Sequence, residues 1–442
     1  MEFKSSFYNY FFENNQELYV YNFLSTAIAE LEKDVWEALK SDKLDNISDD
    51  IIESLFENGF VVEKGCVEKN KYRYFLDSVR FGRTRKALCV TFIPTYGCNL
   101  ACPYCYEGNE HNPKKISNKG IEAVLHFIEK QILIGEATIS LERIEIFLYG
   151  GEPLTCKEAI TEFSRKTSEL AKKYNKKLFF EITTNLTLLD DNIIDLIKEY
   201  DMRLQVTIDG DKTAHDSRRI FKNGKGTYDI IINNLKRLNN AGLHDNVIIR
   251  VNLDENNALL YGDILNEVKQ YANYTYFAFL SLYKDTNANY QNGYMSAESI
   301  CAKTNLFLNK ELIKHGLKPQ STFGKQGPCS ICSENKYMID CNLNVYKCEL
   351  LINRPECRVG YLLEDGTFIK EPNFYNQMSI SPFESKKCTD CKFLPLCGGG
   401  CQGTEYIEKG KKDGNTNLYQ CVISDETIKE YLKSYVSEMK NN

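Results

Sequence analysis

The chain has 442 residues and a formal net charge of −6, and its residues are 43% hydrophobic and 26% charged. This length exceeds the usual size of a single domain, so we expect a large core with one or two smaller modules. No basic block is present, which argues against nucleic acid as a partner. The chain also lacks a signal-peptide pattern and any run of about 18 apolar residues that would span a membrane. We therefore expect a cytoplasmic protein that binds neither nucleic acid nor a membrane.

Residues 1–80 are predicted to form a separate small module. Two aromatic-rich segments, 7–12 and 17–23, flank a polar turn and predict a β-hairpin. A helix is predicted next, because apolar residues recur at helical spacing: Ala27, Ile28, Leu31, Val35 and Leu39. A second helix is predicted with Ser48 as its N-cap, followed by a short strand. Together these elements predict a winged-helix-like module.

Strand-like and helix-like segments alternate from residue 87 to about residue 283. The predicted strands are 88–93, 144–149, 178–184, 204–209, 247–253 and 276–282. The predicted helices between them are 116–133, 156–174, 190–200, 227–241 and 258–271, and a further helix is predicted at 297–315. Six βα units imply parallel strands joined by right-handed crossovers, and therefore a partial (β/α)6 TIM barrel. Functional loops should lie at the carboxyl ends of these strands.

Three cysteines, Cys98, Cys102 and Cys105, follow the first of these strands with three and two residues between them. Three thiolates on one short loop can bind three irons of a cubane. A [4Fe–4S] cluster normally takes four thiolates, so one iron would be left open for a ligand from outside the protein. A zinc knuckle or a partial set of disulfides is the alternative. Structural zinc takes four ligands, however, and this loop contains no His, and the cytosol keeps thiols reduced.

This spacing, with Tyr104 just before the last cysteine, resembles the radical S-adenosylmethionine (SAM) enzyme family. The resemblance implies that the open iron chelates the amino and carboxylate groups of SAM. One electron would then cleave SAM to a 5′-deoxyadenosyl radical. After the second strand, Gly150, Gly151 and Glu152 resemble the GGEP element of that family, which binds the methionyl amino group of SAM. For an isolated motif of this kind, a simple turn is the alternative.

The resemblance implies further SAM contacts at the ends of later strands. The residues that match are Thr184, Asn185, Thr207, Asp209, Arg219 and Asn252, together with Tyr104. Arg219 closes a His-Asp-Ser-Arg-Arg stretch and would pair with the SAM carboxylate through its two-pronged guanidinium. Two alternatives remain: Asn185 and Gly210 serve only to turn the chain, and Arg219 lies on the surface of a helix.

Cysteines are concentrated again after residue 321. They are Cys329, Cys332, Cys341, Cys348, Cys357, Cys388, Cys391, Cys397, Cys401 and Cys421. The spacing from Cys388 to Cys401, followed by Cys421, resembles the SPASM extension of radical SAM enzymes that modify peptides and proteins. The first half departs from that pattern, because Leu343 stands where glycine is expected.

The SPASM resemblance implies two auxiliary clusters, most simply [4Fe–4S] clusters. Cluster II would be bound by Cys388, Cys391, Cys397 and Cys421. Cluster I would be bound by Cys348 and Cys401 with two of Cys329, Cys332 and Cys341, and Cys357 is a possible replacement. A zinc ribbon is the alternative for this array. Glu349 follows Cys348, where sulfatase-maturing relatives carry an acidic residue thought to accept the substrate proton, and an ordinary surface Glu is the alternative.

The predicted fold class is α/β, in three parts. A peptide-recognition-like (RRE-like) winged-helix module occupies 1–80, the radical SAM partial barrel occupies 81–320, and the SPASM domain occupies 321–442. The resemblance implies a maturase whose SAM-derived radical abstracts a hydrogen from a ribosomally synthesised peptide and installs a thioether or carbon–carbon crosslink. It also implies two partners: a precursor peptide with a leader sequence, and a flavodoxin- or ferredoxin-like electron donor.

Three alternatives remain open. The N-terminal module would capture a leader peptide as an added strand, or it would only plug the barrel or pack on its side. The enzyme would instead resemble the sulfatase-maturing type, which oxidises a protein Cys or Ser to formylglycine. In a different class, the chain would be a non-catalytic iron–sulfur or metal-binding protein.

Overall fold

The computed structural model describes residues 2–81, 86–105, 107, 112–138, 141–253, 265, 266, 268–272, 274–279, 311, 312, 314–316, 327–403, 406 and 425–441. None of the helices in this part of the chain has the length and apolar character needed to cross a membrane. The helices predicted at 258–271 and 297–315 and the end of the sixth predicted strand lie largely outside these residues.

The N-terminal module combines two small antiparallel sheets with three helices. Its elements are β1 (Phe3–Ser5), β2 (Asn9–Asn14), β3 (Glu17–Asn22), β4 (Ile28–Glu30), α1 (Lys33–Ser41), α2 (Asp49–Glu57), β5 (Val61–Glu63) and α3 (Glu68–Arg80). Strands β2, β3 and β4 form one sheet in that order, and β1 pairs with β5. The predicted hairpin is confirmed as β2 and β3.

The first predicted helix is wrong in its first part. Ile28–Glu30 form β4, and α1 begins only at Lys33. The apolar spacing there fits a helix and a strand alike, and the pairing of Ala29 with Val20 on β3 decides in favour of the strand. The second predicted helix is confirmed. Ser48 stands directly before its first residue, although the Ser48 side chain makes no capping hydrogen bond.

Six parallel strands form the centre of the fold, as predicted. They are β6 (Ala87–Phe92), β7 (Arg143–Leu148), β8 (Lys177–Thr184), β9 (Arg203–Thr207), β10 (Val247–Leu253) and β11 (Tyr274–Phe279), and they lie side by side in chain order. The helices between them are α4 (Asn118–Thr138), α5 (Lys157–Lys173), α6 (Asp191–Tyr200), α7 (Lys212–Asp216) and α8 (Tyr228–Asn240). The main core lies between strands and helices, where Phe92 stacks on Phe163 with ring centres 3.9 Å apart.

The sheet is open and mixed, and it is larger than the predicted barrel. Four strands of the C-terminal region extend it: β12 (Lys336–Ile339), β13 (Asn344–Tyr346), β14 (Gly360–Leu362) and β15 (Phe368–Lys370). Strand β12 pairs in parallel with β6, and the strands that follow it are antiparallel. The edge of β6 would otherwise present unpaired N–H and C=O groups. The six parallel strands and the four strands of the C-terminal region therefore belong to one sheet, which crosses the predicted domain boundary near residue 321.

The remaining described helices are α9 (Pro372–Ser379), α10 (Lys386–Thr389), α11 (Leu394–Cys397) and α12 (Asp425–Asn441). Helix α12 packs on the N-terminal module through Ile428, Leu432 and Val436, which join the buried aromatic residues of β2 and β3. Lys440 Nζ lies 2.6 Å from a carboxylate oxygen of Glu17 and 3.0 Å from one of Glu30. The N-terminal module is thus attached to the C-terminal end of the chain.

Leu343, which stands where the cysteine pattern expects glycine, lies in the hairpin between β12 and β13. Its φ is 64°, in the left-handed region that glycine adopts freely and leucine avoids. Asp340 holds this turn, because its Oδ1 accepts hydrogen bonds from the N–H groups of Asn342 and Asn344, each at 2.8 Å. A leucine therefore keeps the backbone shape that glycine would give, and it packs against the core.

Leu343→Gly should be more stable than Leu343→Ala, although alanine is normally the more stable of the two. Both variants lose the packing of the leucine side chain, but only glycine relieves the left-handed strain, which costs about 1 kcal/mol. Urea denaturation measures the difference in the free energy of unfolding. The same pair of substitutions at the exposed Leu363, whose φ is not positive, is the control and should favour alanine. If Leu343→Ala is the more stable variant, the backbone at position 343 is not strained.

Candidate active site

The three cysteines predicted to bind iron lie on the loop that leaves the carboxyl end of β6. Cys98 Sγ accepts a hydrogen bond from the backbone N–H of Leu100 at 3.4 Å. The backbone N–H of Cys105 donates to the carbonyl of Cys102 at 3.1 Å. A bridge between Leu100 and Phe221 fastens the loop to the segment that follows α7. The cysteine loop therefore lies at the edge of the sheet where the neighbouring parallel strands also end.

The two glycines after β7 pack against this cysteine loop. A Cβ at Gly150 would lie 2.4 Å from the carbonyl oxygen of Thr95, and one at Gly151 would lie 2.4 Å from that of Tyr96. Gly150 also has a φ of 146°. The close approach that two glycines allow is therefore made by the backbone of the cysteine loop. Any side chain at either position would push the loop away from β7.

Glu152 is buried, and both oxygens of its carboxylate are used within the protein. Oε1 accepts hydrogen bonds from the Thr184 hydroxyl at 2.7 Å and from the N–H of Leu154 at 3.0 Å. Oε2 accepts from the N–H of Asn185 at 2.7 Å. Burial raises the pKa of Glu152, and these three donors oppose the increase. Glu152 therefore joins the end of β7 to the end of β8.

Asn185 connects β8 to the cysteine loop. Its Nδ2 donates to Asn99 Oδ1 at 2.9 Å and lies 4.0 Å from Cys98 Sγ. Its Oδ1 accepts hydrogen bonds from the N–H of Thr187 at 3.0 Å and from the Thr187 hydroxyl at 2.7 Å. A role in turning the chain accounts for the bonds to Thr187 but not for those to the loop.

Asp209 is the centre of a second buried network, at the ends of β9 and β10. Its Oδ1 accepts hydrogen bonds from the N–H of Asn252 at 2.9 Å and from Asn252 Nδ2 at 3.1 Å. Its Oδ2 accepts from the hydroxyl of Tyr104, and Arg219 Nη1 donates to that hydroxyl at 2.6 Å. Burial raises the pKa of Asp209, but the guanidinium groups of Arg219 and Arg218 outweigh it and hold the pKa below its ordinary value.

Arg219 is buried, so it is not an arginine on the surface of a helix. It interacts electrostatically with the Cys102 thiol, as Asp209 does. Thr207, another predicted residue, is buried at the end of β9, opposite Arg250 on β10. Apart from Thr207 and the two glycines, the predicted cofactor-binding residues therefore form two networks, one around Glu152 and one around Asp209, and both reach the cysteine loop.

His215 lies outside the predicted set of site residues, yet it supports the Asp209 network. It is fully buried, and its Nδ1 accepts a hydrogen bond from the N–H of Asp209 at 3.3 Å. Its Nε2 lies 3.0 Å from the Thr227 hydroxyl, which itself donates to the carbonyl of Arg219 at 2.7 Å. Nε2 must therefore carry the proton of a neutral ring. Burial lowers the pKa of His215 to about 4, and the charge of Arg219 adds to the effect.

Between pH 6.5 and pH 5 the protein should lose stability through His215. In this window the unfolded chain protonates the residue near its ordinary pKa of 6.5, whereas the folded chain does so only near 4. Since the unfolded state binds more protons, lowering the pH from 6.5 to 5 lowers the free energy of unfolding by about 2 kcal/mol. His215→Gln should remove this contribution. Urea titrations of both proteins at the two pH values test it, and equal losses in wild type and variant would contradict it.

The donor set of the cysteine loop fits an iron–sulfur cluster. The three thiols are close enough to interact electrostatically with one another. Burial raises the pKa of each, that of Cys98 to about 12, so thiolates here need positive charge such as bound iron supplies. In the described part of the chain, no three His, Cys, Asp or Glu side chains converge on a point as a single metal ion requires. A cubane makes no such demand, because each thiolate binds a different iron.

Four C-terminal cysteines, here called the first cysteine group, lie together: Cys329, Cys332, Cys348 and Cys401. The Cys348 thiol interacts electrostatically with those of Cys329 and Cys401, and the Cys332 thiol interacts with that of Cys329. A Cβ at Gly403 would lie 2.9 Å from Cys348 Sγ and 3.9 Å from Cys401 Sγ. Residues separated by more than seventy positions in the sequence thus meet at one place.

Cys341 and Cys357 occupy different places. Cys341 belongs to the core of the central sheet, beside Asp340, whose Oδ2 accepts a hydrogen bond from the Tyr96 hydroxyl at 3.0 Å. Cys357 packs in the same apolar cluster as Cys332 and Cys348. The structure therefore places Cys357, but not Cys341, beside the first cysteine group.

Three further cysteines, here called the second cysteine group, lie against the N-terminal module: Cys388, Cys391 and Cys397. Tyr72 and Leu76 of α3 pack with Cys388 and Leu394. The hydroxyls of Tyr72 and Tyr8 interact electrostatically with the thiols of Cys397 and Cys391. Cys421, the predicted fourth ligand, lies outside the described residues.

Glu349 lies next to the first cysteine group but is exposed. Its carboxylate interacts electrostatically with the thiols of Cys348 and Cys329. This position is compatible with an acidic group beside a substrate and equally with an ordinary surface Glu, so the role of Glu349 stays a prediction.

Comparison with known proteins agrees with this site. Residues 92–260 match the radical SAM superfamily. The matched region contains the cysteine loop, the two glycines and both buried networks. Residues 92–260 are therefore a radical SAM domain, and the chain is a radical SAM enzyme.

Maturating enzymes are among the relatives of this chain. The chain is 24% identical over 367 residues to the cysteine-type anaerobic sulfatase-maturating enzyme of Clostridium novyi (strain NT), which covers 77% of this chain and 93% of the relative. The structure of native anSMEcpe with bound AdoMet and the Cp18Cys peptide superposes with a TM-score of 0.61 at 18% identity, covering 80% of this chain and 99% of that one. The structure of Streptococcus suis SuiB bound to the precursor peptide SuiA superposes with a TM-score of 0.53 at 15% identity, covering 95% of this chain and 100% of that one. At such identities these structures establish the fold.

Proposed function

We propose that this radical SAM enzyme abstracts a hydrogen atom from a ribosomally synthesised peptide and installs a crosslink in it. The observation that carries the proposal is the three-thiol loop at the strand ends, beside the buried networks of Glu152 and Asp209. A [4Fe–4S] cluster on Cys98, Cys102 and Cys105 would, when bound, supply the electron that cleaves SAM to a 5′-deoxyadenosyl radical.

Arg219 is the residue we propose to hold the carboxylate of SAM. Its Nη1 donates to Tyr104, but its buried Nε has no hydrogen-bond partner in the described part of the chain. A buried donor left without an acceptor costs about 1–3 kcal/mol. A ligand carboxylate would satisfy this donor with a charge-assisted bond. Thr184, Asn185, Thr207 and Asn252 would surround the same ligand, and Glu152 would face its amino group.

We assign auxiliary cluster I to the first cysteine group and auxiliary cluster II to the second group with Cys421. A crosslink removes two hydrogens from the peptide. One leaves as an atom to the 5′-deoxyadenosyl radical, and the other leaves as a proton and an electron when the new bond forms. The electron needs an acceptor. An auxiliary cluster bound by one of the two cysteine groups would accept it. A flavodoxin- or ferredoxin-like protein would serve as the electron donor for the loop cluster.

The outer edge of β4, which pairs with no other described strand, is the place we propose for a leader peptide. The N–H of Asn22 donates to the carbonyl of Ala27 at 2.9 Å, and the N–H of Leu31 donates to that of Leu18 at 2.8 Å. In an antiparallel ladder these bonds alternate, so the N–H groups of Ile28 and Glu30 point away from β3. An added strand would pair with those two residues.

Ile28→Pro should abolish binding of the precursor peptide, because it removes one outward N–H while leaving the pairing of β3 with β4 in place. Ile28→Ala, which keeps that N–H, is the matched control and should bind within a few-fold of wild type. Fluorescence anisotropy with a labelled leader peptide measures both. Equal binding by the two variants would place the leader elsewhere, or show that residues 1–80 only pack on the rest of the chain.

The second candidate function is oxidation of a protein Cys or Ser to formylglycine. The similarity to the sulfatase-maturating enzyme of C. novyi and to anSMEcpe favours it. Deleting residues 1–80 does not separate the two functions, because α3 packs directly on the second cysteine group. The products do separate them, because formylglycine is an aldehyde that reacts with a hydrazide probe, whereas a crosslink leaves no aldehyde. Mass alone does not separate them for serine, since oxidation of Ser to formylglycine is also the loss of two hydrogens.

The deciding experiment is anaerobic incubation of the reconstituted protein with SAM and dithionite. Two peptides are compared: the one encoded by a short reading frame next to the gene, and a Cys-containing sulfatase peptide. We expect 5′-deoxyadenosine, and loss of two hydrogens from the first peptide only, in a product that does not react with a hydrazide probe. An aldehyde on the second peptide would establish the formylglycine function instead. Absence of 5′-deoxyadenosine under all conditions would leave a non-catalytic iron–sulfur protein.

A further inference from the structure

We propose that Arg80 and Lys347 form a pair of buried cations that offsets the negative charge of the cluster on the first cysteine group and raises its reduction potential. This inference rests on the proposed function, which places an iron–sulfur cluster there. Neither residue would be a ligand. Both would act as positioning residues, through charge and through the segment 332–336 that carries Cys332.

Arg80 reaches this segment from the N-terminal module. It is the last residue of α3, and its side chain is buried. Its Nε donates to the carbonyl of Cys332 at 3.1 Å, and its Nη2 donates to the carbonyl of Ile380 at 3.2 Å. Asp77 is a distant partner, with 4.0 Å between its Oδ1 and Arg80 Nη1 and with half of its side chain exposed. Arginine remains charged in proteins, so a nearly uncompensated positive charge lies against Cys332.

Lys347 holds the same segment from the other side. Its side chain is fully buried, and Nζ donates to the carbonyls of Ser333, at 2.5 Å, and of Lys336. The ring centre of Tyr337 lies 4.3 Å from Nζ. Among the described residues, no carboxylate lies within ion-pair distance of Lys347. Two basic side chains from distant parts of the sequence therefore hold one segment of five residues.

Such an arrangement is costly unless an anion is present. A buried charge that is not paired destabilises a protein by several kcal/mol. Arg80 and Lys347 both interact electrostatically with the Cys332 thiol. An iron–sulfur cluster with thiolate ligands is an anion whose negative charge grows by one on reduction. Nearby cations stabilise the reduced form more than the oxidised form, and they therefore raise the potential.

The consequence is a direct connection between peptide recognition and electron transfer. Arg80 belongs to the module that we propose to bind the leader, and it lies against the cluster that we propose to accept the electron. No residue of the radical SAM domain intervenes between them along this contact.

The test is a redox titration followed by electron paramagnetic resonance, in the Cys98→Ala, Cys102→Ala and Cys105→Ala background, where only auxiliary clusters remain. Arg80→Gln should shift one of the two auxiliary signals, lowering the ratio of its reduced to its oxidised form at a fixed potential three- to tenfold. A tenfold change corresponds to about 59 mV for one electron. Arg80→Lys, which keeps the charge, should stay near the parent value, and Lys347→Gln should shift the same signal as Arg80→Gln. Lys71→Gln, which removes a positive charge at an exposed position of the same helix, is the matched control and should have no effect.

Unchanged potentials in Arg80→Gln would overturn the inference, and so would an equal shift in Arg80→Lys. If the Arg80→Gln protein does not load the cluster, the Arg80→Lys protein decides whether charge or only packing is at work. Loading of Arg80→Lys with the parent potential supports a role of charge, and failure of both variants refutes it. Failure of the proposed auxiliary clusters looks different, because the triple-alanine background would then contain no iron before Arg80 is changed. Failure of the proposed crosslinking reaction is seen in the peptide product and leaves this titration unaffected.

Discussion

Replacing Cys98, Cys102 and Cys105 by alanine should lower the iron content of the anaerobically reconstituted protein from about twelve to about eight atoms per chain. The three thiols of this loop are close enough to interact electrostatically with one another at the carboxyl end of β6. The C-terminal cysteine groups lie on other elements and should keep their iron. The variant should also form no 5′-deoxyadenosine from SAM and dithionite, because the electron would have no route to SAM.

Cys156→Ala provides the control for this experiment. Cys156 is a buried thiol just before α5 and has no metal-binding spacing, so its loss should leave about twelve irons. A wild-type value of about four would mean that the C-terminal groups are not loaded, and the two auxiliary clusters would have to be abandoned. If the triple variant keeps all its iron, the loop does not hold a cluster.

Glu152→Gln should reduce the formation of 5′-deoxyadenosine about 100-fold, measured per loaded loop cluster. The Glu152 carboxylate accepts three hydrogen bonds, from Leu154, Thr184 and Asn185. A glutamine brings an NH2 group against at least one of these donors, which costs about 1–3 kcal/mol and displaces Asn185. Because Asn185 contacts the cysteine loop, the bound SAM would shift, and a displacement of about 1 Å can lower a rate about 100-fold.

The matched control for this substitution is Glu158→Gln, which changes an exposed carboxylate in the first turn of α5. It should leave both the rate and the free energy of unfolding unchanged. Iron must be counted in each protein, so that a lost cluster is not mistaken for a misplaced SAM. Wild-type rates in Glu152→Gln would show that the hydrogen bonds of this carboxylate do not position the ligand.

The local pattern of the sequence was enough to predict the central part of the fold. Alternating apolar runs and helical spacing predicted six parallel strands, and β6 to β10 lie within a few residues of the predicted ranges. Parallel strands are buried on both faces, so their apolar runs are easy to recognise. The position of the site followed as well, because the loops at the carboxyl ends of parallel strands always meet at one edge of a sheet.

Contacts between distant segments were not predictable in the same way. The spacing of residues 27–31 fitted a helix, and only the pairing of β4 with β3 made it a strand. The motif predicted that Gly150 and Gly151 allow a close approach, but only the fold showed that the neighbour is the cysteine loop. His215 opens the stretch that Arg219 closes, but no role was predicted for it, since its importance depends on a backbone N–H and a hydroxyl that the fold brings to its two ring nitrogens.

By itself, the sequence determined the chemistry of this protein: the three-thiol loop, the GGEP element and the C-terminal cysteine spacing are each contained in a short stretch of residues. The tertiary structure decided which of those groups lie together. It placed Cys329 and Cys332 beside Cys348 and Cys401, moved Cys341 into the core, and brought Arg80 of the N-terminal module against Cys332. The physical reason is that ligand type and spacing are local properties, whereas burial and charge compensation are set by segments hundreds of residues apart.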